Sequence, residues 1–223
     1  MNQDLLKTKR LTLLPMTDEE MQILMDAQQD AELRQAYSEM LAGSIAHPGD
    51  RKWHAAWQIR LKDGSPVGDL CFKGKPIQGE VEIGYGILPA CEGCGYATEA
   101  VEAAVNWAFT QPDTVLVSAQ TEPSNAASQR VLAKAGFVPD GEGREGPRFV
   151  REKPASNWMV IYLALGLGVG TSLSAASGNM ALGSALGLCI GLAIGLALDT
   201  QEKKQRDTLR KAREAGNANQ ATQ

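Results

Sequence analysis

Histidine, cysteine and aromatic side chains are scarce in this chain of 223 residues, which holds two His, four Cys and 5 % aromatics. Four cysteines, Cys71, Cys91, Cys94 and Cys189, are too few and too scattered for a disulfide framework at this length, so a reducing compartment is expected. Cys91 and Cys94 form a C-x-x-C with no second pair, and neither His47 nor His54 stands at metal-ligand spacing from it. Bound metal is therefore not expected, and a regulatory disulfide is the remaining special reading of the pair. The opening Met1-Asn2-Gln3-Asp4-Leu5-Leu6-Lys7 lacks an apolar stretch behind a basic start, so the expectation is a first domain without a secretory signal that stays in the cytoplasm. A basic excess is lacking too: residues 1 to 153 carry 16 Lys+Arg against 22 Asp+Glu, a net −6. That balance excludes a nucleic-acid footprint and suits a cationic, amine-bearing substrate.

Charge itself vanishes between Lys153 and Asp199. The run divides at Ser177-Gly178-Asn179 into two apolar pieces, Trp158 to Ala176 and Met180 to Leu198, each about 28 Å long as helix against a hydrocarbon core of about 30 Å. Gly183, Gly187, Gly191 and Gly195 recur every fourth residue, with Gly166 and Gly170 as a matching pair in the first piece. Such spacing lets helix backbones approach closely in lipid, where packing rather than water drives association. Trp158 and Tyr162 suit a membrane interface, and basic residues flank both ends, Arg144 to Lys153 before and Lys203 to Arg213 after. These features predict a glycine-zipper-like transmembrane hairpin over 157–198, in contact with membrane lipid, with both flanks on the cytoplasmic side of the cell membrane. A homo-oligomer joined through the glycine faces is expected, and a re-entrant hairpin or a buried helix pair stays open. A charged cytoplasmic tail, 199–223, follows, helical over Gln201 to Ala215 and disordered from Gly216 on.

Residues 1–153 alternate strand and helix patterns. Leu11 to Pro15 reads as a strand, Thr17 with Glu20 as a capping box opening a helix to about Gln28, and Ala31 to Leu41 as a second helix. His54 to Lys62 and Pro66 to Lys73 flank Asp63-Gly64-Ser65 as a hairpin. Val81 to Leu88, Val115 to Thr121, Phe137-Val138 and Arg148 to Val150 read as strands, and Tyr96 to Phe109 and Asn125 to Ala135 as helices. The mixed order implies an α/β (α+β) domain with a central mixed sheet flanked by helices.

The segment Glu82 to Ala100 is a strand, a glycine loop and a helix start. Gly93 and Gly95 free backbone N–H groups to turn toward an anion, and the helix start adds its unpaired N–H groups and positive dipole end. This segment resembles the acetyl-CoA pyrophosphate loop of the GNAT superfamily, Arg/Gln-x-x-Gly-x-Gly/Ala, with Gly95 and Ala97 at its last two fixed positions. Asn125-Ala126-Ala127-Ser128 through Lys134-Ala135-Gly136-Phe137 resembles the following GNAT helix, closest to the ribosomal-protein N-terminal acetyltransferase branch. Two positions depart: Glu92 stands where Arg or Gln is usual, and Leu132 where many relatives carry a proton-donating Tyr.

The resemblance implies acetyl-CoA as co-substrate and acetyl transfer to a primary amine. It places Glu92, Gly93, Cys94, Gly95, Tyr96, Ala97 and Thr98 on the pyrophosphate, Asn125 and Ser128 along the cofactor, and a backbone N–H near Ile87 on the thioester carbonyl. Because an alkyl ammonium with a reference pKa of about 10 must lose a proton before attack, a base is needed. Glu82 is the candidate, through water, with Glu80 as substitute, and Ser128 or water donates to the departing thiolate. Two other readings are kept: a weakly active or inactive module serving a membrane scaffold, and a hairpin that forms a small assembly or pore regulated by the soluble domain.

Overall fold

A computed structural model describes residues 5–177 and 180–220, apart from the side chains of 173–177, 180 and 213–220. The chain divides into two compact units, the first ending at Lys153 and the second beginning at Pro154.

The first unit orders its elements as β1 (Leu6–Lys7), β2 (Leu11–Pro15), α1 (Asp18–Ala27), α2 (Ala31–Ala46), α3 (Arg51–His54), β3 (Ala56–Leu61), β4 (Pro66–Phe72), β5 (Glu80–Ile87), α4 (Tyr96–Thr110), β6 (Leu116–Gln120), α5 (Ala126–Lys134), β7 (Val138–Glu142) and β8 (Pro147–Glu152). The strands form one mixed sheet, β1-β2-β3-β4-β5-β6-β8-β7, in which β5 and β6 run parallel and the other described neighbours antiparallel. The parallel step needs a crossover, and α4 supplies it.

Local chemistry sets the boundaries. Thr17 and Glu20 form the reciprocal capping box that opens α1, Oγ1 of Thr17 accepting from Glu20 N at 3.2 Å and Glu20 Oε2 from Thr17 N at 2.9 Å. Helix α2 runs five residues past the Leu41 expected from pattern, because nothing stops it before His47, whose conformation Pro48 restricts. His54 belongs to a helical turn rather than to the strand start, so β3 begins at Ala56.

Strand alternation gives the sheet two unlike faces. Val81 and Ile83 of β5, with Leu70 and Phe72 of β4, join the main core beneath Ala100, Val101, Ala104 and Val105 of α4 and Leu132 of α5. Asp69 of β4 points the other way and meets Tyr37 of α2. A smaller cluster of Met16, Met21, Tyr37, Ala55 and Ala56 seats α1 and α2.

The second unit pairs α6 (Trp158–Ser177) with α7 (Met180–Gln220) in antiparallel contact. Its interface is glycine: a Cβ added to Gly187 falls 2.1 Å from Gly166 O, one on Gly170 2.5 Å from Gly183 O, and one on Gly191 2.1 Å from Tyr162 O. These faces are occupied within the chain, so an oligomer joined through them would require α6 and α7 to separate. At the open end, Asp199 of α7 caps α6, accepting from Trp158 N at 3.0 Å and Met159 N at 3.2 Å, while Glu202 accepts from Trp158 Nε1 at 3.0 Å. Leu163, Leu165, Val169, Leu186, Ile190 and Ile194 lie on the outside. Among the described residues one helix, Ala181–Ala212, is long and apolar enough to cross a membrane; the apolar part of α6, Trp158–Ser172, is shorter. The charged tail is no separate helix. It continues α7 to Gln220, past the Gly216 from which disorder was expected; no proline follows Leu198, and Gln201 to Ala215 is rich in helix formers. The expected turn residues Gly178 and Asn179, and the end 221–223, lie outside the described residues.

Replacing Gly187 by Leu is expected to part α6 from α7, whereas Gly168→Leu, at a position with nothing within 4 Å of the added Cβ, leaves the pair intact. Hydrogen exchange in detergent checks this: amides of residues 158–172 speed up in the first variant and not in the second.

Candidate functional site

The parallel pairing of β5 with β6 covers Glu80↔Leu116, Val81↔Val117 and Glu82↔Ser118 and then stops. Beyond it β5 continues against β4 as far as Ile87, and β6 against β8 as far as Gln120. The two strands part while each keeps its outer ladder. Leu88 N donates to Val67 O and Glu82 O accepts from Lys73 N, so the even-numbered backbone groups of β5 face β4. Those of Tyr85 and Ile87, beyond the last rung to β6, consequently face the opening. Ile87, named from sequence as the thioester donor, presents its N–H there.

The opening leads into the glycine loop. Gly93 and Gly95 adopt φ of 73° and 78°, the left-handed region, and Gly95 is the N-cap of α4. The first helical bond runs from Glu99 N to Gly95 O, and no side chain caps the helix. The N–H groups of Tyr96, Ala97 and Thr98 therefore lack helical acceptors and, with the dipole end, form an anion-binding start. Glu92, Gly93 and Cys94 are exposed on the same loop, and Cys91 is half-buried.

Arg10, at the end of the turn before β2, braces this loop and carried no signal in the sequence. Its Nε meets Glu99 Oε2 at 2.6 Å, its Nη1 donates to Cys94 O at 2.9 Å, and its guanidinium lies 4.8 Å from the Tyr96 ring centroid. Nη2 sits 3.5 Å from where a Gly95 Cβ would be. A cation thus stands beside the loop in which Glu92 replaces the usual Arg or Gln. Burial alone would raise Glu99, but hydrogen bonds from Thr8 and Arg10 and the Arg10 charge hold its carboxyl below the ordinary range.

On the far side of the opening, Asn125 caps α5 by accepting from Ser128 N at 2.9 Å. Ser128 Oγ lies 2.8 Å from the Tyr85 hydroxyl, which reaches across from β5; burial raises the Tyr85 pKa and the Ser128 bond opposes that. Leu132 is fully buried in the core. The hydroxyl missing at residue 132 thus has a counterpart at Tyr85, legible in sequence only through the alternation of β5.

The opposite face carries the acids. Glu82 pairs through Oε1 with Lys73 Nζ at 2.6 Å and accepts at Oε2 from Gln120 Nε2 at 3.0 Å, while Lys73 also meets Glu145 at 2.8 Å. Burial would lower the Lys73 pKa, but Glu145 and Glu82 outweigh it and raise it. Glu80, the substitute base, is paired with Arg148 at 2.5 Å. Neighbouring Asp69 pairs in register with Gly86 and accepts the Tyr37 hydroxyl at 2.6 Å; burial raises its carboxyl pKa against that hydrogen bond. Sequence reasoning passed over Asp69 and Tyr37, which α2 brings together from 32 residues apart. His47 and His54 stack on each other with centroids 4.9 Å apart, and among the described residues no group of three His, Cys, Asp or Glu gathers as a metal site.

A family model described as an acetyltransferase (GNAT) domain matches residues 10–138. The uncharacterized N-acetyltransferase YjdG of Bacillus subtilis (strain 168) is 34% identical over 85 residues, 37% of this chain and 51% of that protein, so the chain matches about half the length of this relative. Among solved structures, the ribosomal-protein alpha-N-acetyltransferase RimL in complex with coenzyme A superposes with a TM-score of 0.56 at 16% identity, covering 69% of this chain and 100% of the other. A mutant of the SpeG spermidine N-acetyltransferase from Vibrio cholerae superposes with a TM-score of 0.54 at 15% identity, covering 65% and 95%. At these identities the likeness establishes a common fold.

A double-mutant cycle of Arg10→Ala and Glu99→Ala, read by urea unfolding at pH 7, is expected to give a coupling of about 0.5–1 kcal/mol, modest because Arg10 is 44% exposed. Because the Glu99 carboxyl is held low, that coupling is present above the ordinary carboxylate range and disappears as pH falls through its lowered value.

Proposed function

The chain belongs to the GNAT acetyltransferase family, and we propose that its first unit, residues 1–153, transfers acetyl from acetyl-CoA to a primary amine while its second unit anchors it to a membrane. The observation that carries the enzymatic reading is the opening between β5 and β6, which runs from the Ile87 N–H to the uncapped start of α4. Acetyl-CoA is the co-substrate, and the residues present fit it. The N–H groups of residues 93–98 receive the pyrophosphate, with Glu92 beside them and Arg10, paired with Glu99, bracing the loop; these N–H groups do not depend on the side chain at 92. Asn125 and Ser128 line the cofactor from α5. The thioester supplies an acetyl group already activated for attack by a neutral amine.

Three roles fall to the protein. The Ile87 N–H polarises the thioester carbonyl, fixed in direction by the β4 ladder. Glu82, with both oxygens engaged by Lys73 and Gln120, takes the amine proton through water, and Glu80 with Arg148 keeps the same face polar. Ser128 donates to the departing thiolate and is resupplied by Tyr85. Coenzyme A in the RimL structure and the spermidine in the name of SpeG support the choice of co-substrate and of amine acceptors.

The anchoring reading rests on the uncharged run between Lys153 and Asp199, the outward Leu and Ile side chains and the glycine interface, which is the packing that hydrocarbon rewards. Both flanks, with the tail 199–223, then lie in the cytoplasm. The second reading, a scaffold module with little catalysis, has Glu92 in its favour.

Calorimetric titration of the full chain with acetyl-CoA separates the two: binding in the micromolar range is expected, and its absence in folded protein leaves the scaffold. Ser128→Ala is expected to lower kcat about 100-fold in an assay of thiol release with primary amines. Alkaline carbonate washing of membranes is expected to leave the full chain in the pellet, and release into the supernatant removes the anchor.

A further inference from the structure

On the acceptor face the half-buried acids of β5 are each paired with a cation. Glu82 has Lys73 and Glu80 has Arg148. Asp69 has Tyr37, a neutral hydroxyl bonded to Oδ2 at 2.6 Å. Its second oxygen, Oδ1, has no hydrogen-bond partner among the described residues, and it faces Gly86, whose added Cβ would lie 3.8 Å from it in ordinary contact. Opposite Asp69 and Cys71, β5 supplies Gly86 and Gly84, so no side chain of that strand fills the space above the carboxylate. Gly86 immediately precedes Ile87, the residue whose N–H faces the opening.

Asp69 is half-buried and has no counter-charge, and a cation with hydrogen-bond donors offers its open oxygen a stronger partner than water does. An alkyl ammonium brings both. It is the dominant form of a primary alkylamine near neutral pH, whereas an arylamine is neutral there. The strand register puts the vacant oxygen one residue from the thioester donor.

Resting on the acetyltransferase reading above, we propose that Asp69, oriented by Tyr37, is the acceptor-binding carboxylate, which receives the ammonium group of a primary alkylamine at Oδ1 and so selects cationic over neutral amines. The ammonium binds with its proton in place; removal of that proton stays with Glu82 and its water. Tyr37 is a positioning residue, holding Oδ2 so that Oδ1 turns to Gly86. Besides Tyr37 from α2, the titratable group beside Asp69 is Cys71 on its own strand, whose thiol burial pushes up to about 11 and which is neutral in the working range. The facing positions of β5 are glycines and carry no charge.

The test compares spermidine with aniline as acceptors in full-length wild type and Asp69→Asn, where Asn keeps an acceptor for the Tyr37 hydroxyl. The ratio of kcat/KM for spermidine over aniline is expected to fall at least tenfold, through KM for spermidine; an unchanged ratio overturns the proposal. Coenzyme A binding by the variant reports that it is folded. Tyr37→Phe gives a second reading that loss of packing would not produce: without the donated hydrogen bond the Asp69 carboxyl titrates higher, so KM for spermidine must begin to climb at a higher pH than in wild type. Coincident profiles count against the proposal. If wild type transfers acetyl to neither amine, the acetyltransferase reading fails by itself. The ammonium site is then read by titrating spermidine against the Tyr ring resonances, where saturable shifts lost in Asp69→Asn uphold it and absence of shifts in wild type overturns it.

Discussion

Two parallel strands that stay hydrogen-bonded for three residues and then part govern the first unit. Separation would ordinarily orphan two rows of backbone groups, yet β4 continues to satisfy one side of β5 and β8 one side of β6. The sheet therefore opens at a single seam without losing its outer ladders. Everything with chemical capacity is arranged about that seam. The Ile87 N–H faces it, α4 starts at its end, Ser128 and Tyr85 close over one side, and the acidic residues of β4 and β5 lie on the reverse face.

This arrangement also sorts charge. The loop end gathers backbone N–H groups at the start of α4, favourable to a polyanion, with the Arg10 charge matched by Glu99, while on the α2 face Asp69 has no cation beside it. On the proposed reading, the co-substrate and the acceptor approach from environments of different electrostatic preference. Arg10 also braces the loop that carries Glu92. It ties Glu99 and the Cys94 carbonyl together and leaves Nη2 on the Gly95 side, which holds the loop against the start of α4.

Much of the element order was legible because capping, turn and alternation signals are local. Thr17 with Glu20, Asp63-Gly64-Ser65 and the glycines at 93 and 95 each act within a few residues, and β2, β4, β5, α4 and α5 fall close to their expected bounds. The misses were non-local. Arg10 reaches Glu99 across 89 positions and Tyr37 reaches Asp69 across 32, distances at which a single sequence carries no pairing signal. The hairpin shows the same limit. Glycine spacing revealed a close-packing face, but the partner of that face, another copy or the preceding helix, was set by tertiary contact, and α6 took it. At the end of α7 local composition pointed the other way, since Gly216, Asn217 and Asn219 are poor helix formers, yet the helix runs on to Gln220.

The central claim, that the seam and the start of α4 are one binding site, is tested most directly by amide hydrogen exchange of the full chain with and without acetyl-CoA. The account predicts protection of at least about tenfold at Ile87 and over Gly93–Thr98 together, since both must donate to the same molecule. Protection confined to the loop, with Ile87 exchanging as before, would contradict it, because the cofactor would then be held without its thioester entering the opening.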